Sequence, residues 1–230
     1  MLLLAAGAGT RLAAGVPKAF VEVGGRTLLD HALDRVLDAK ALSHLVVVAP
    51  PARLDQARAA VAARSAAAAR AGLVLTVVPG GEDRPGSVRA GLAALGPDED
   101  VVLVHDCARP FAPPALFQAV IEAVLTRCAA VVPGVAVPDT LKQVGPDGLV
   151  VCTLPRDQLR SIQTPQGFRR DLLERAHAAG RSDVTDDAAL VEALGAPVLV
   201  IDGDPRAGKI TTRADLHVAA TRDASSDVLS

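Results

Sequence analysis

Two kinds of apolar pattern alternate along the chain. Leu2–Ala5, His44–Ala49, Leu73–Val78, Val101–His105, Ala129–Pro133 and Val198–Ile201 are nearly unbroken apolar blocks bounded by polar or turn residues. Each predicts a strand, and their continuity, in place of strict alternation, predicts burial on both faces of a mostly parallel sheet. Between them apolar residues recur at helical spacing. Thr27 is placed to cap a helix running to Asp38, whose stripe is Leu28, Leu29, Ala32, Leu33, Val36 and Leu37. Further helices are predicted from about Pro51 to Ala71, from Ser87 to Leu95 with Ser87 as N-cap, from Pro113 to Arg127, and from Arg169 to Ala179. Thr185-Asp186-Asp187 reads as an N-cap followed by first-turn acids, opening a helix through Leu194, and a last helix follows Lys209-Ile210-Thr211-Thr212. The predicted fold is α/β: a doubly wound, mostly parallel (mixed) central sheet with helices on both faces.

The alternation is interrupted from Gly134 to about Arg160, where polar and turn residues separate short β-like pieces: Val135-Ala136-Val137, Val144 and Val150-Val151-Cys152. Gly145-Pro146-Asp147-Gly148 has the composition of a hairpin turn. Residues 134–160 are therefore expected to form a β-arm on a single domain spanning 1–230. A long hairpin leaving an α/β sheet exposes unpaired edges, and a second copy of the chain is the expected cover, giving a homodimer.

Composition narrows the possible tasks. The chain has 230 residues, half of them apolar, so one domain with a substantial core is expected. The net charge of −2, with acids and bases intermixed, argues against nucleic-acid binding, and Arg53, Arg58, Arg64 and Arg70 read as the solvated face of the second helix. Four Phe with no Trp or Tyr leave little for base stacking, so any base would be held by backbone and small side chains. Cys107, Cys128 and Cys152 fit neither a disulfide framework nor a zinc ribbon, which points to a reducing, cytoplasmic setting. No apolar run approaches the about 18 residues of a membrane span.

In a doubly wound sheet, ligands sit beyond the carboxyl ends of the strands, so the residues just after each apolar block carry the chemistry. After the first block comes Ala6-Gly7-Ala8-Gly9-Thr10-Arg11, closed by Pro17-Lys18. Small residues let backbone N–H groups approach a polyanion, Arg11 and Lys18 add positive charge, and Pro17 stiffens the approach to Lys18. Gly15-Val16-Pro17-Lys18 lacks the Gly-Lys-Ser/Thr of a P-loop, and Leu12 stands where a dinucleotide fingerprint wants its third glycine. A tight Gly/Ala turn with two solvated cations is the simpler alternative. Asp106, at the end of the fourth block, is by itself either a structural cap or a metal ligand.

Several motifs together go further. Ala5-Ala6-Gly7-x-Gly9-x-Arg11 with Pro17-Lys18-x-Phe20 resembles the signature of the sugar-nucleotide pyrophosphorylase superfamily. Gly80-Gly81-Glu82-Asp83-Arg84, Val104-His105-Asp106-Cys107-Ala108-Arg109-Pro110, Asp139-Thr140-x-Lys142, Gln163-Thr164-Pro165-Gln166 and Thr185-Asp186-Asp187 follow in the order found in the 2-C-methyl-D-erythritol 4-phosphate cytidylyltransferases. The resemblance covers about residues 1 to 218.

That resemblance implies a Rossmann-like nucleotidyltransferase fold, a homodimer joined through the arm, Mg²⁺ as cofactor, and CTP and a polyol phosphate as substrates. It implies that Ala5, Ala6, Gly7, Ala8, Gly9, Gly81, Glu82 and Ser87 bind the nucleotide, and that Arg11, Lys18 and Lys209 hold the α-phosphate. Asp106 would carry the metal at the edge of the substrate site, and Arg109, Thr140, Arg156, Thr164 and Thr185 would bind the acceptor. Two positions depart from the common pattern: Ala207-Gly208-Lys209 stands where Asn-x-Lys is usual, and Cys107 where Ala is common. Cys107 reads as a small buried residue with no redox role. Rival readings are a ribitol 5-phosphate cytidylyltransferase, since one loop would serve both acceptors, and a catalytically silent nucleotide-binding regulator.

Overall fold

The computed structural model describes residues 1–7, 15–180 and 184–226. Strand β1 (Leu2–Leu4) is followed by the small ribbon β2 (Glu22–Val23) and β3 (Arg26–Thr27), helix α1 (Leu28–Asp38) and strand β4 (His44–Ala49). Then come α2 (Leu54–Ala62), α3 (Ser65–Arg70), β5 (Val74–Pro79), α4 (Arg84–Ala93), β6 (Val101–Asp106), α5 (Pro114–Thr126) and β7 (Ala130–Ala136). A hairpin of β8 (Lys142–Val144) and β9 (Val150–Thr153) precedes β10 (Arg160–Ile162) and β11 (Gln166–Arg169). The chain continues with α6 (Arg170–Ala178), α7 (Asp187–Ala193), β12 (Leu199–Asp202) and α8 (Arg213–Ser226).

The main sheet is mixed and mostly parallel. β5, β4, β1 and β6 pair side by side in parallel, with β1 central. β11 runs antiparallel between β6 and β7, β10 pairs antiparallel with the later half of β7, and β12 adds to β7 in parallel. Successive strand residues point to opposite faces, and both faces are covered. Leu2, Val46, Val48, Val102 and Val104 pack with Val88 and Leu92 of α4, Leu172 and Leu173 of α6, and Leu190 and Val191 of α7. Leu3, Leu45, Val47 and Leu103 pack on the other face with Leu29 and Leu33 of α1 and Phe117 of α5. Each such side chain, fully removed from water, contributes roughly 1.5–3 kcal/mol before entropy is counted.

Local chemistry explains most boundaries. Thr27 and Asp30 form a reciprocal capping box at α1, the Asp30 N–H donating to Thr27 Oγ1 at 3.1 Å and the Thr27 N–H to Asp30 Oδ2 at 3.1 Å. Four expectations about helices need correction. The helix expected over Pro51 to Ala71 is broken: Pro51–Arg53 is a 3₁₀ turn and α2 ends at Ala62. Arg64, expected on the solvated face, turns inward at the break, donating from Nε to Asp34 Oδ1 at 2.6 Å and from Nη1 to Asp30 Oδ1 at 2.9 Å. Ser87 does not cap α4, because Asp83 does, accepting from the Gly86 N–H at 2.6 Å; Ser87 lies one turn inside. Likewise Asp186, not Thr185, caps α7, accepting from the Ala189 N–H at 3.0 Å.

Val135 and Ala136, expected in the arm, continue β7 within the main sheet, and Arg160 begins β10 on the same sheet. The hairpin between them is a two-stranded unit of its own, closed by a turn in which the Gly145 N–H donates to Leu149 O at 2.9 Å. Val144, Leu149, Val150 and Val151 on it are exposed. Among the described residues, no helix is long and apolar enough to cross a membrane.

Candidate active site

A cleft of about 420 Å³ opens at the carboxyl ends of β1, β5 and β6. The register of the sheet creates it: Leu4 pairs with Asp106 on one side and with Val48 on the other, so the chain leaves β1 and β6 at the same level. The Ala5 N–H donates to Val48 O at 2.8 Å and the Cys107 N–H to Leu4 O at 3.1 Å, which fixes both exits. Gly80, directly after β5, permits the third wall. A Cβ there would lie 2.5 Å from the Cβ of Ala6, so only glycine lets the two loops meet.

Ala5, Ala6, Gly7 and Lys18 line one wall, Gly81, Glu82, Asp83, Arg84 and Ser87 another, and Asp106, Cys107, Ala108 and Lys209 the floor and rim. Lys18 opens a 3₁₀ turn after Pro17, anchored by buried Ala19 and Phe20, with the Phe20 N–H donating to Pro17 O at 2.9 Å. Ser87 Oγ donates to Asp83 O at 2.9 Å and accepts from the Gly81 N–H at 3.2 Å, so it shapes the β5 exit from within.

Asp106 is the electrostatic centre. Lys209 Nζ donates to its Oδ2 at 2.6 Å, and Arg84 Nη2 lies 3.8 Å from Oδ1. Burial pushes the Asp106 pKa up, but the Lys209 and Arg84 charges and the Lys209 hydrogen bond together bring it down to about 2. Below the carboxylate, its own backbone N–H donates to Thr164 Oγ1 at 3.0 Å, and that hydroxyl pairs with His105 Nδ1 at 2.9 Å. Burial lowers the His105 pKa to about 4, so the ring is neutral and holds the threonine without adding charge. Burial also pushes the Cys107 thiol up, which keeps it protonated and inert, as expected.

The residues predicted for this region divide into three groups. Ala5, Ala6, Gly7, Lys18, Gly81, Glu82, Ser87, Asp106 and Lys209 meet around one cleft. Ala8, Gly9 and Arg11 lie outside the described residues. The acceptor set does not gather with the first group. Thr164 is buried with its hydroxyl engaged beneath Asp106. Arg109 donates from Nη1 to Ala207 O at 2.8 Å and from Nη2 to Ile162 O at 3.1 Å, tying the Lys209 loop to the sheet. Thr140 and Arg156 sit exposed in the arm, where Arg156 Nη1 donates to Pro138 O at 2.6 Å, and Thr185 is exposed ahead of α7.

Sequence reasoning assigned no role to Arg84 or Asp187. Arg84 enters the cleft from the first turn of α4 and is held at 2.8 Å by Asp187, whose side chain is fully buried. Burial disfavours the Arg84 charge, but the Asp187 and Asp106 charges outweigh it and raise its pKa. The signal was present in the cation just after Gly80-Gly81 and in the second acid of Thr185-Asp186-Asp187, but their separation hides the pairing. Among the described residues no cluster of three or more His, Cys, Asp or Glu side chains could hold a metal by itself. Mg²⁺ takes one or two carboxylates and completes its shell with phosphate oxygens and water, so Asp106 is the residue of this floor that could share such an ion with a bound phosphate.

The chain is similar to known proteins of one family. The family model for IspD, 2-C-methyl-D-erythritol 4-phosphate cytidylyltransferase, matches residues 1–222. A protein of that name from Frankia casuarinae is 47% identical over 215 residues, covering 94% of this chain and 77% of the relative. The bifunctional enzyme IspD/IspF of Clavibacter michiganensis is 50% identical over 219 residues; the match covers 95% of this chain, which spans only 53% of that longer protein. Among solved structures, 4-diphosphocytidyl-2C-methyl-D-erythritol synthase from Anaerococcus prevotii superposes with a TM-score of 0.79 at 32% identity, covering 96% of this chain and 95% of the other.

Proposed function

This chain belongs to the IspD family of 2-C-methyl-D-erythritol 4-phosphate cytidylyltransferases, and we propose that the cleft beyond β1, β5 and β6 is where it carries out that family's reaction. CMP passes from CTP to the acceptor phosphate: an acceptor oxygen bonds to the α-phosphorus, the bond to the β-phosphate bridging oxygen breaks, and pyrophosphate leaves. A phosphate monoester is already a nucleophile near neutral pH, so the barrier is the approach of two anions, and positioning with charge neutralisation is what the protein must supply.

The observation that carries this reading is the set of cations around Asp106. Lys18 and Lys209 line one cleft from separate loops, so both ammonium groups can meet one phosphate; Arg11, outside the described residues, is added to them by the family resemblance alone. The small side chains of Ala5, Ala6 and Gly7 admit the triphosphate, and the β5 exit at Gly81, Glu82 and Ser87 takes the cytosine. Asp106 would hold Mg²⁺ together with phosphate oxygens, releasing Lys209 to the nucleotide; when bound, the ion neutralises phosphate charge.

For the acceptor, Thr140, Arg156 and Thr185 remain the candidates, and the exposed apolar strip on the arm supports delivery of its own Arg156 by a second copy of the chain. Thr164 and Arg109 act from below, through Asp106 and the Lys209 loop. Pyrophosphate release should be measured with CTP and either 2-C-methyl-D-erythritol 4-phosphate or ribitol 5-phosphate. Turnover with the first and little with the second is expected, and the reverse preference would overturn the acceptor assignment.

A further inference from the structure

Asp187 sits in the first turn of α7 with its side chain wholly removed from water. A carboxylate so placed needs partners, and two reach it from different elements. His177 of α6, itself buried, approaches Oδ1 with Nε2 at 2.9 Å, and Arg84 of α4 brings Nη2 to 2.8 Å from Oδ2. The same Arg84 nitrogen lies 3.8 Å from Asp106 and faces the cleft, with 30% of its side chain exposed. A chain of polar contacts thus runs from α6 through α7 and α4 to β6. His177 is its far end and forms no part of the cleft lining.

The two oxygens of Asp187 are used in different directions, so the hold on one sets the aim of the other. With Oδ1 occupied by His177, Arg84 is offered a single oxygen and keeps the rest of its guanidinium for the cleft. Were the His177 donor removed, Oδ1 would be free to recruit a second Arg84 nitrogen, because bidentate pairing is the geometry a guanidinium prefers with a carboxylate. Arg84 would then turn away from Asp106 and from whatever anion the cleft holds. We propose that His177 is a positioning residue for the nucleotide site, fixing the Asp187 carboxylate so that Arg84 is aimed at bound CTP. The proposal rests on the reading of the cleft as the CTP site.

The test compares His177→Gln, whose amide nitrogen reaches the place of Nε2, with His177→Asn, whose amide stops short of Asp187. CTP affinity is measured by calorimetry and kcat at saturating CTP, with each change also made in an Arg84→Ala background. His177→Gln should bind CTP within about twofold of wild type, and His177→Asn should bind about tenfold more weakly, the size of effect expected for a residue acting through a packed polar network. In the Arg84→Ala background, His177→Asn should add no further loss. A merely structural histidine would lower stability without that dependence on Arg84. Wild-type affinity in His177→Asn, or losses that multiply with Arg84→Ala, would overturn the proposal while leaving the CTP site standing. Failure of the wild-type protein to bind CTP would overturn both. Should His177→Asn not fold, Asp187→Asn carries the test: it should weaken CTP binding, and that weakening should vanish in Arg84→Ala.

Discussion

Asp106→Asn keeps the shape of the side chain while removing the negative charge that faces Lys209 and Arg84, so its effect on stability can be worked from the structure. Burial alone would raise the Asp106 pKa, yet Lys209 at 2.6 Å and Arg84 at 3.8 Å bring it from 3.8 down to about 2. Because the folded value lies below the unfolded one, the ionised carboxylate stabilises the fold above about pH 4, and that contribution is lost as pH falls toward 2. The drop from 3.8 to about 2 corresponds to about 2 kcal/mol at neutral pH. Water screens the half-exposed Lys209, which makes this an upper figure. Asp106→Asn should therefore lower the unfolding free energy by at most about 2 kcal/mol at pH 7, leaving Lys209 without its carboxylate partner while Arg84 keeps Asp187. Denaturant unfolding of both proteins from pH 7 to pH 3 is the assay. The gap between them should be widest above about pH 5 and close as the medium becomes acid. A gap that stays constant with pH, or a variant more stable than wild type at pH 7, would refute the electrostatic account of this cluster.

Asp106→Asn should also shift the Mg²⁺ requirement of turnover to much higher concentration, and equal wild-type activity with and without added metal would remove the metal role of Asp106. Thr164→Val leaves the Asp106 N–H without its acceptor and should cost about 1–3 kcal/mol in denaturant unfolding, whereas Thr164→Ser should restore most of it; equal losses would contradict the positioning role. If Arg156 reaches the neighbouring subunit's site, co-refolding Lys18→Met with Arg156→Met should recover about a quarter of wild-type activity, since half the dimers are mixed and each holds one intact site. Activity that stays at the level of the separate variants would place Arg156 in its own subunit's site or nowhere in it.

Much of the fold was legible because strand burial writes a continuous apolar block. His44–Ala49 is read to the residue, and the Thr27 cap follows from its side chain alone. β11 was missed because Gln166-Gly167-Phe168-Arg169 is short and half polar; it is a strand only because β6 and β7 flank it, a tertiary fact. Arg64 was misread for the same reason, since its partners Asp30 and Asp34 lie on another helix. At the site, residues directly after strands could be read because the sheet's own register brings them together. Arg109 and Thr164 could not, because spacing does not say whether a side chain faces the cleft or braces it from beneath. The Arg84, Asp187 and His177 chain joins three helices, and no local pattern announces it.

The central claim is that cations on separate loops of one cleft neutralise the charge that builds on the α-phosphate during transfer. Lys18→Met and Lys209→Met test it most directly, with single-turnover conversion of α-labelled CTP measured alongside equilibrium CTP binding. Each change should slow the chemical step by on the order of 10²-fold or more while altering the CTP dissociation constant far less, as contacts that strengthen in the transition state require. Equal losses in binding and in turnover, or a chemical step that proceeds at the wild-type rate, would contradict the claim.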